Sequence, residues 1–368
     1  MRKFLVGLVG TALPLLLLVV AAEIGLRFLP VPSGMKTAPV NAESPVYRFT
    51  PNQSVTNSIG WNMTFPTQRR VNNEGFLDHQ DYNSDSEDPL LAVIGDSYVE
   101  AAAVSYPETL YGRLAAAVEG RGRVYSFGAS AAPLSQYLIW ARYARERYKA
   151  EALAIVVVGN DFDRSAAGVS QVAGFHHFVM GEDARLQLVP FEPSPVRRAL
   201  RHSALARYIF HNLKARSAYK RIKRWIEGEP EPVYVGNTDN DTSPARMAVA
   251  ERVVDTFFER LPEYSGLGSD RIVFVLDGMR PHLYEANDLA SVSDSYFARM
   301  RLYFMAKAGS LGYQVLDLQP RFIERHRADG ALFEFPTDAH WNSTGHEVAA
   351  EAVKSSAVFS ALFGGGEG

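Results

Sequence analysis

The sequence predicts an α/β protein: a flavodoxin-like three-layer α/β/α sandwich around a five-stranded parallel sheet. Two observations predict it. Five short runs, Leu90–Gly95, Arg123–Phe127, Ala152–Val158, Arg271–Leu276 and Tyr313–Asp317, are dominated by apolar residues. Such runs mark strands covered on both faces. Stretches with helical spacing stand after them, at 108–118, 136–147, 245–260, 292–310 and through Glu347–Val353. Strands alternating with helices indicate βαβ units, whose crossover helices cover a parallel sheet.

Composition sets the outer limits. The chain has 368 residues, 47% hydrophobic and 21% charged, with a formal net charge of −3. That balance gives no global case for nucleic acid as a partner. There is no cysteine, which excludes disulfides, thiolate metal sites, a cysteine nucleophile and a lipidated N-terminal cysteine.

At the N-terminus, Met1-Arg-Lys3 precedes an uncharged, mostly apolar stretch from Phe4 to Ala22. Nineteen such residues suffice to cross a bilayer core as a helix, and Arg2 and Lys3 favour a cytoplasmic start. Residues 1–29 are therefore expected to form a single-pass anchor, with the rest of the chain extracytoplasmic (periplasmic in a Gram-negative cell). A cleaved signal peptide ending at Val20-Ala-Ala22 is the competing reading. Residues 30–87, rich in Pro, Ser, Asn and Thr, read as a lead-in or linker.

The first half of the core is expected over 88–163. Its first strand runs into Gly95-Asp96-Ser97, which places Ser97 at the carboxyl end of a parallel strand, where open α/β sheets hold ligands. Pro107 suits the first turn of the following helix, because it lacks the N–H that would go unpaired there. The third strand ends at Gly159-Asn160-Asp161. Residues 164–270 read as an insertion. Its segment Ser194–Glu227 carries ten Arg or Lys against one acidic residue. Apolar residues in that segment fall at helical spacing, Leu205, Ile209 and Leu213, then Ile222, Trp225 and Ile226. Such a basic amphipathic stretch suits an anionic lipid surface, an acidic polymer, or a solvated face over the core. The core resumes over 271–364. Asp277 and Asp317 end strands with no base beside them and read as loop formers.

The chemistry concentrates in a few positions. A serine hydroxyl needs a base at neutral pH, and His340 of Asp338-Ala-His340-Trp-Asn342 is the candidate. Asp338, two residues earlier, can fix the tautomer of that ring and stabilise its cation. The Asn160 amide and the backbone N–H groups of the loop after Phe127 are candidate oxyanion donors. A metal reading of Asp338, His340 and His346 lacks a His-Glu-x-x-His pattern, so no metal and no cofactor is expected, and His346 reads as packing the last helix.

These blocks, in this order, resemble the SGNH (GDSL-type) hydrolase superfamily over about half the chain, roughly 88–163 and 270–362. Gly95-Asp96-Ser97 resembles its nucleophile block, Gly159-Asn160-Asp161 its Asn block and Asp338-Ala-His340 its acid–base block. The Asp-x-His-Trp-Asn form is similar to that of membrane-anchored polysaccharide O-acetylation proteins related to the alginate acetylation factors. The resemblance implies catalysis by Ser97, Asp338 and His340, and an oxyanion hole made by Ser97, Ala131 and Asn160. Ala131 stands where the family usually has Gly, with Gly128 as the fallback donor. It further implies an esterase or O-acyltransferase acting through an acyl-serine on acetyl or related groups of an envelope or secreted polysaccharide, with partners in polysaccharide biosynthesis. The alternative is a catalytically silent polysaccharide-binding or assembly component, motivated by Ala131 and the basic insertion.

Overall fold

The computed structural model describes residues 2–364 except 182 and 230–232, with the side chains of 2–11, 197 and 216 left aside. Five parallel strands form the central sheet: β1 (Leu90–Gly95), β2 (Arg123–Gly128), β3 (Ala152–Val157), β4 (Ile272–Leu276) and β5 (Gln314–Asp317). Their spatial order is β2-β1-β3-β4-β5, the flavodoxin-like order, with its topological switch point between β1 and β3.

Nearly all of the sheet's side chains are buried, and they alternate between two cores. Leu90, Ala92 and Ile94 face one; Leu91 and Val93 face the other. The helices include α1 (Arg2–Leu26), α2 (Ser97–Glu100), α3 (Leu110–Ala117), α4 (Leu134–Tyr148), α5 (Ala204–Arg207), α6 (Ala215–Glu227), α7 (Pro244–Ser265), α8 (Tyr296–Ser310), α9 (Leu318–Asp329) and α10 (Ser343–Lys354). Leu138, Trp140, Val254, Phe257, Phe297 and Phe304 bring α4, α7 and α8 to the first core. Leu114, Phe322, Val348 and Val353 bring α3, α9 and α10 to the second.

Several expectations change in detail. Pro107 lies in a separate turn, Tyr106–Glu108, and Thr109 caps α3 instead, its Oγ1 accepting from the Gly112 N–H at 3.0 Å. Residues 30–87 are not a slack linker. Gln53–Ile59 and Thr64–Val71 form an antiparallel hairpin, and Phe49, Val55, Val71, Phe76 and Tyr82 extend the first core. Their polar composition conceals this because much of the hairpin's surface stays wet. Within 164–270, helix α7 is a layer of the sandwich, since a parallel crossover from β3 to β4 needs a covering helix. The remainder joins short helical pieces within 195–227 to non-helical chain on either side. It includes two small antiparallel ladders, His176–Val179 with Arg185–Leu188 and Tyr234–Val235 with Thr238–Asp239.

The expected span Phe4–Ala22 lies within α1, partly on side chains outside those described. Among the described residues no helix is long and apolar enough to cross a membrane. From Leu13 to Val20 the large apolar side chains of α1 are exposed. At its end, the Glu23 carboxylate accepts from the Ser203 hydroxyl and from the N–H groups of Ala204 and Leu205, at 2.8–3.0 Å.

Candidate active site

Strand β1 ends at Gly95, where a side chain's Cβ would lie 2.5 Å from Val99. The absence of that atom lets the chain fold directly into α2. Asp96 caps this turn, its Oδ1 accepting from the Tyr98 N–H at 2.9 Å, and Ser97 begins it. Gly128, at the end of β2, is demanded by the same turn, because a Cβ there would stand 2.6 Å from the Glu100 nitrogen. Its role is close packing against α2.

His340 arrives from the other end of the chain. Asp338–Trp341 pairs antiparallel with Glu334–Phe335 in a short ladder. The Ser97 hydroxyl donates to His340 Nε2 at 2.8 Å, and His340 Nδ1–H donates to Asp338 Oδ1. Residues 243 apart in sequence thus form one continuous proton path.

Every residue of the Asp338–Asn342 stretch is anchored. The Ala339 carbonyl accepts from the Tyr98 hydroxyl at 2.9 Å and from Arg280 Nη1 at 3.0 Å. Trp341 donates its indole N–H to Asp277 Oδ1 at 2.9 Å. Asn342 caps α10 through the Gly345 N–H and donates to the carbonyls of Leu332 and Glu334. Asp277 is therefore more than a loop former. It forms a fully buried, two-bond ion pair with Arg280 at 3.1 and 2.8 Å, and the pair grips both sides of His340. Buried charges survive only when so satisfied. An Asp and an Arg three residues apart after an apolar strand fit a solvated loop pair equally well, so their spacing carried no distinguishing signal.

Electrostatics suit a base. Burial pulls the His340 pKa down, but the hydrogen bond and charge of Asp338, with Asp96 and Glu100 nearby, raise it above its ordinary value. Burial alone would raise the Asp338 pKa. The His340 hydrogen bond and charge and the Lys214 ammonium outweigh it and hold the carboxyl well below the usual carboxylate range. Lys214 Nζ lies 3.1 Å from Asp338 Oδ2. Buried His346 is pushed down to about 3, chiefly by desolvation, and its Nδ1 accepts from the Leu110 N–H at 3.2 Å. It packs the last helix onto α3.

A cleft of about 210 Å³ opens beside Ser97. Ser97, Asp338 and His340 line it together with Asn57–Gly60 of the N-terminal hairpin, Ala101–Val104, Ser130, and His211 and Lys214 of the inserted segment. Arg69, buried in that hairpin, secures the 101–104 wall by donating to the carbonyls of Ala101 and Val104 at 2.7 and 2.6 Å. Asn212 ties the insertion to the hairpin through Ser58 Oγ and the Gly60 carbonyl. None of these contributors carries a motif.

The expected oxyanion donors fall into place less completely. Ala131, Asn160 and Gly128 form no wall of this cleft. Ala131 sits in the left-handed region at φ 68°, the conformation that explains a preference for Gly there. Its neighbour Ser130 is fixed by buried Glu100, which accepts from the Ser130 N–H at 2.6 Å and the hydroxyl at 3.0 Å. Asn160, beyond the end of β3, is buried, and its Oδ1 has no hydrogen-bond partner among the described residues. Asp161 is structural, accepting from the Val158 N–H and the Tyr137 hydroxyl.

No protein-family model and no curated protein matches the chain. Solved structures do. A lipase from a goat rumen metagenome is 12% identical, with 73% of this chain and 96% of that one covered and a TM-score of 0.37. An α/β hydrolase from the metagenome of Lake Arreo is 17% identical, with coverages of 75% and 95% and a TM-score of 0.37. A lipase/acylhydrolase from Enterococcus faecalis is 9% identical, with coverages of 72% and 93% and a TM-score of 0.37. The case for the site rests on this chain's own geometry.

Proposed function

We propose that the protein is a serine-dependent esterase or O-acyltransferase of the SGNH type that works through an acyl-serine. The observation that carries this reading is the hydrogen-bonded path from Ser97 through His340 to Asp338. A hydroxyl, an imidazole with raised pKa and an ionised carboxylate in that order are the parts of a nucleophile–base–orienter relay. His340 Nε2 takes the Ser97 proton as Oγ bonds to the ester carbonyl carbon. The oxyanion is held by the N–H of Ser97, which lines the cleft; the Ala131 N–H and the Asn160 amide N–H₂, outside the walls of the cleft as it stands, are the further donors this reading calls for. Collapse breaks the ester bond, and His340 returns the proton to the departing alcohol. Water or a second hydroxyl, deprotonated by His340, then takes the acyl group and frees Ser97.

The small cleft favours a short acyl group such as acetyl. The exposed apolar side chains of α1, with Arg2 and Lys3 at its start, support a membrane anchor and an extracytoplasmic site. An envelope or secreted polysaccharide is then the accessible acyl donor or acceptor, and a biosynthetic complex its setting.

Ser97→Ala should lower turnover of p-nitrophenyl acetate by on the order of 10⁴-fold or more; unchanged turnover refutes the assignment. Mass spectrometry of the polymer from a deletion strain separates the two outcomes of the acyl-serine. Lost acetylation indicates a transferase and gained acetylation an esterase.

A further inference from the structure

Helix α6 presents its apolar side outward. Tyr219, Ile222, Trp225 and Ile226 recur at spacings of three and four and so share one face, yet they are 68%, 57%, 80% and 71% exposed. An ordinary surface helix turns such a stripe toward the core. Around the rest of its circumference stand Lys220, Arg221, Lys223 and Arg224, with a single acidic residue, Glu227, paired to Lys223 at 3.6 Å. The helix start is fixed. Tyr208 donates to the Trp61 carbonyl at 2.7 Å, Asn212 bonds to Ser58 and Gly60, and Lys214 holds Asp338.

We propose that α6 is an interfacial helix that lies in the headgroup layer of an anionic bilayer, with Ile222, Trp225 and Ile226 in the acyl boundary. An exposed aromatic and aliphatic stripe flanked by cations is the pattern that binds in this plane. The cations meet the negative surface potential while the stripe leaves water. An acidic polymer would satisfy the cations but offers no apolar phase for the stripe. Because Lys214 immediately precedes α6, docking sets the Ser97 cleft next to the membrane surface. The proposal rests on the faces of α6 and stands whether or not Ser97 is a nucleophile.

The chain has no cysteine, so Ile226→Cys gives a single labelling position in the full-length protein. A bimane at that position is read with vesicles containing acyl-chain doxyl quenchers, made of phosphatidylcholine alone or mixed with phosphatidylglycerol. The account expects quenching in the mixed vesicles. It should fall about threefold or more in phosphatidylcholine alone, at high salt, or when Lys220, Lys223 and Arg224 are changed to Gln. A chain that floats with vesicles while the label stays unquenched is held by α1 only and overturns the proposal. A chain that does not float overturns it too. A label shielded by polygalacturonate but untouched by lipid quenchers overturns it in favour of an acidic polymer.

Discussion

The sandwich core and the segments added to it contribute to the same cleft by different physical routes. In the core, backbone geometry does the placing where strands end: Ser97, which lines the cleft, follows β1, and Asp277, which holds the His340 segment, follows β4. In the added segments, 30–87 and 164–243, position comes from single long-range contacts. Arg69 grips the 101–104 wall, Asn212 reaches Ser58 and Gly60, and Lys214 reaches Asp338. A core can be read from periodicity, while such contacts leave no periodic trace. The core supplies reactive groups, and the additions shape what reaches them.

The largest difference should appear at the relay. Asp338→Asn keeps the side chain's shape but removes the charge that orients and charges His340, and kcat should drop by on the order of 10⁴-fold. A loss below about tenfold would mean that Asp338 is only a wall residue.

Next come two of the buried arginines, one from each region. Arg280→Met takes the cation away from the buried Asp277 carboxyl and should cost about 3–5 kcal/mol of stability in denaturant titration. Arg69→Met leaves carbonyls without donors and should cost about 1–3 kcal/mol. If Arg69→Met is silent, the hairpin is a detachable appendage and the comparison fails.

The smallest effects belong to the insertion. Lys214 is half-exposed, and Lys214→Gln should change kcat/KM by less than about threefold. Its signature is in pH instead. The base must be neutral, and the His340 pKa stands above its ordinary 6.5, so activity should fall as pH drops through a limb lying above 6.5. Losing the ammonium favours the imidazolium and should move that limb slightly upward. A limb below 6.5 in the wild-type chain would contradict the environment described for His340.

Much of this is legible in the sequence. The five strands sit within a residue or two of where the apolar runs put them, because strands covered on both faces tolerate little polarity. The meeting of Ser97, Asp338 and His340 was legible because the proposed relay requires specific residue types. Asp277 and Arg280 were not, since a buried ion pair is indistinguishable in sequence from a solvated loop charge. The cleft walls from 57–60 and 211–214 were hidden for a further reason: a polar, irregular composition describes a packed loop and a linker equally well. Ala131 was noticed as a departure, and its left-handed backbone gives that departure a physical meaning.

Everything proposed for this cleft depends on Ser97 being a nucleophile activated by His340. Intact-protein and peptide mass spectrometry after treatment with a fluorophosphonate tests it most directly, because the covalent adduct requires both an activated hydroxyl and a functioning oxyanion hole. The account predicts one adduct, on Ser97, formed in the wild-type chain and lost in His340→Ala. No adduct in the wild-type chain, or one that persists at the same rate after His340→Ala, would contradict it.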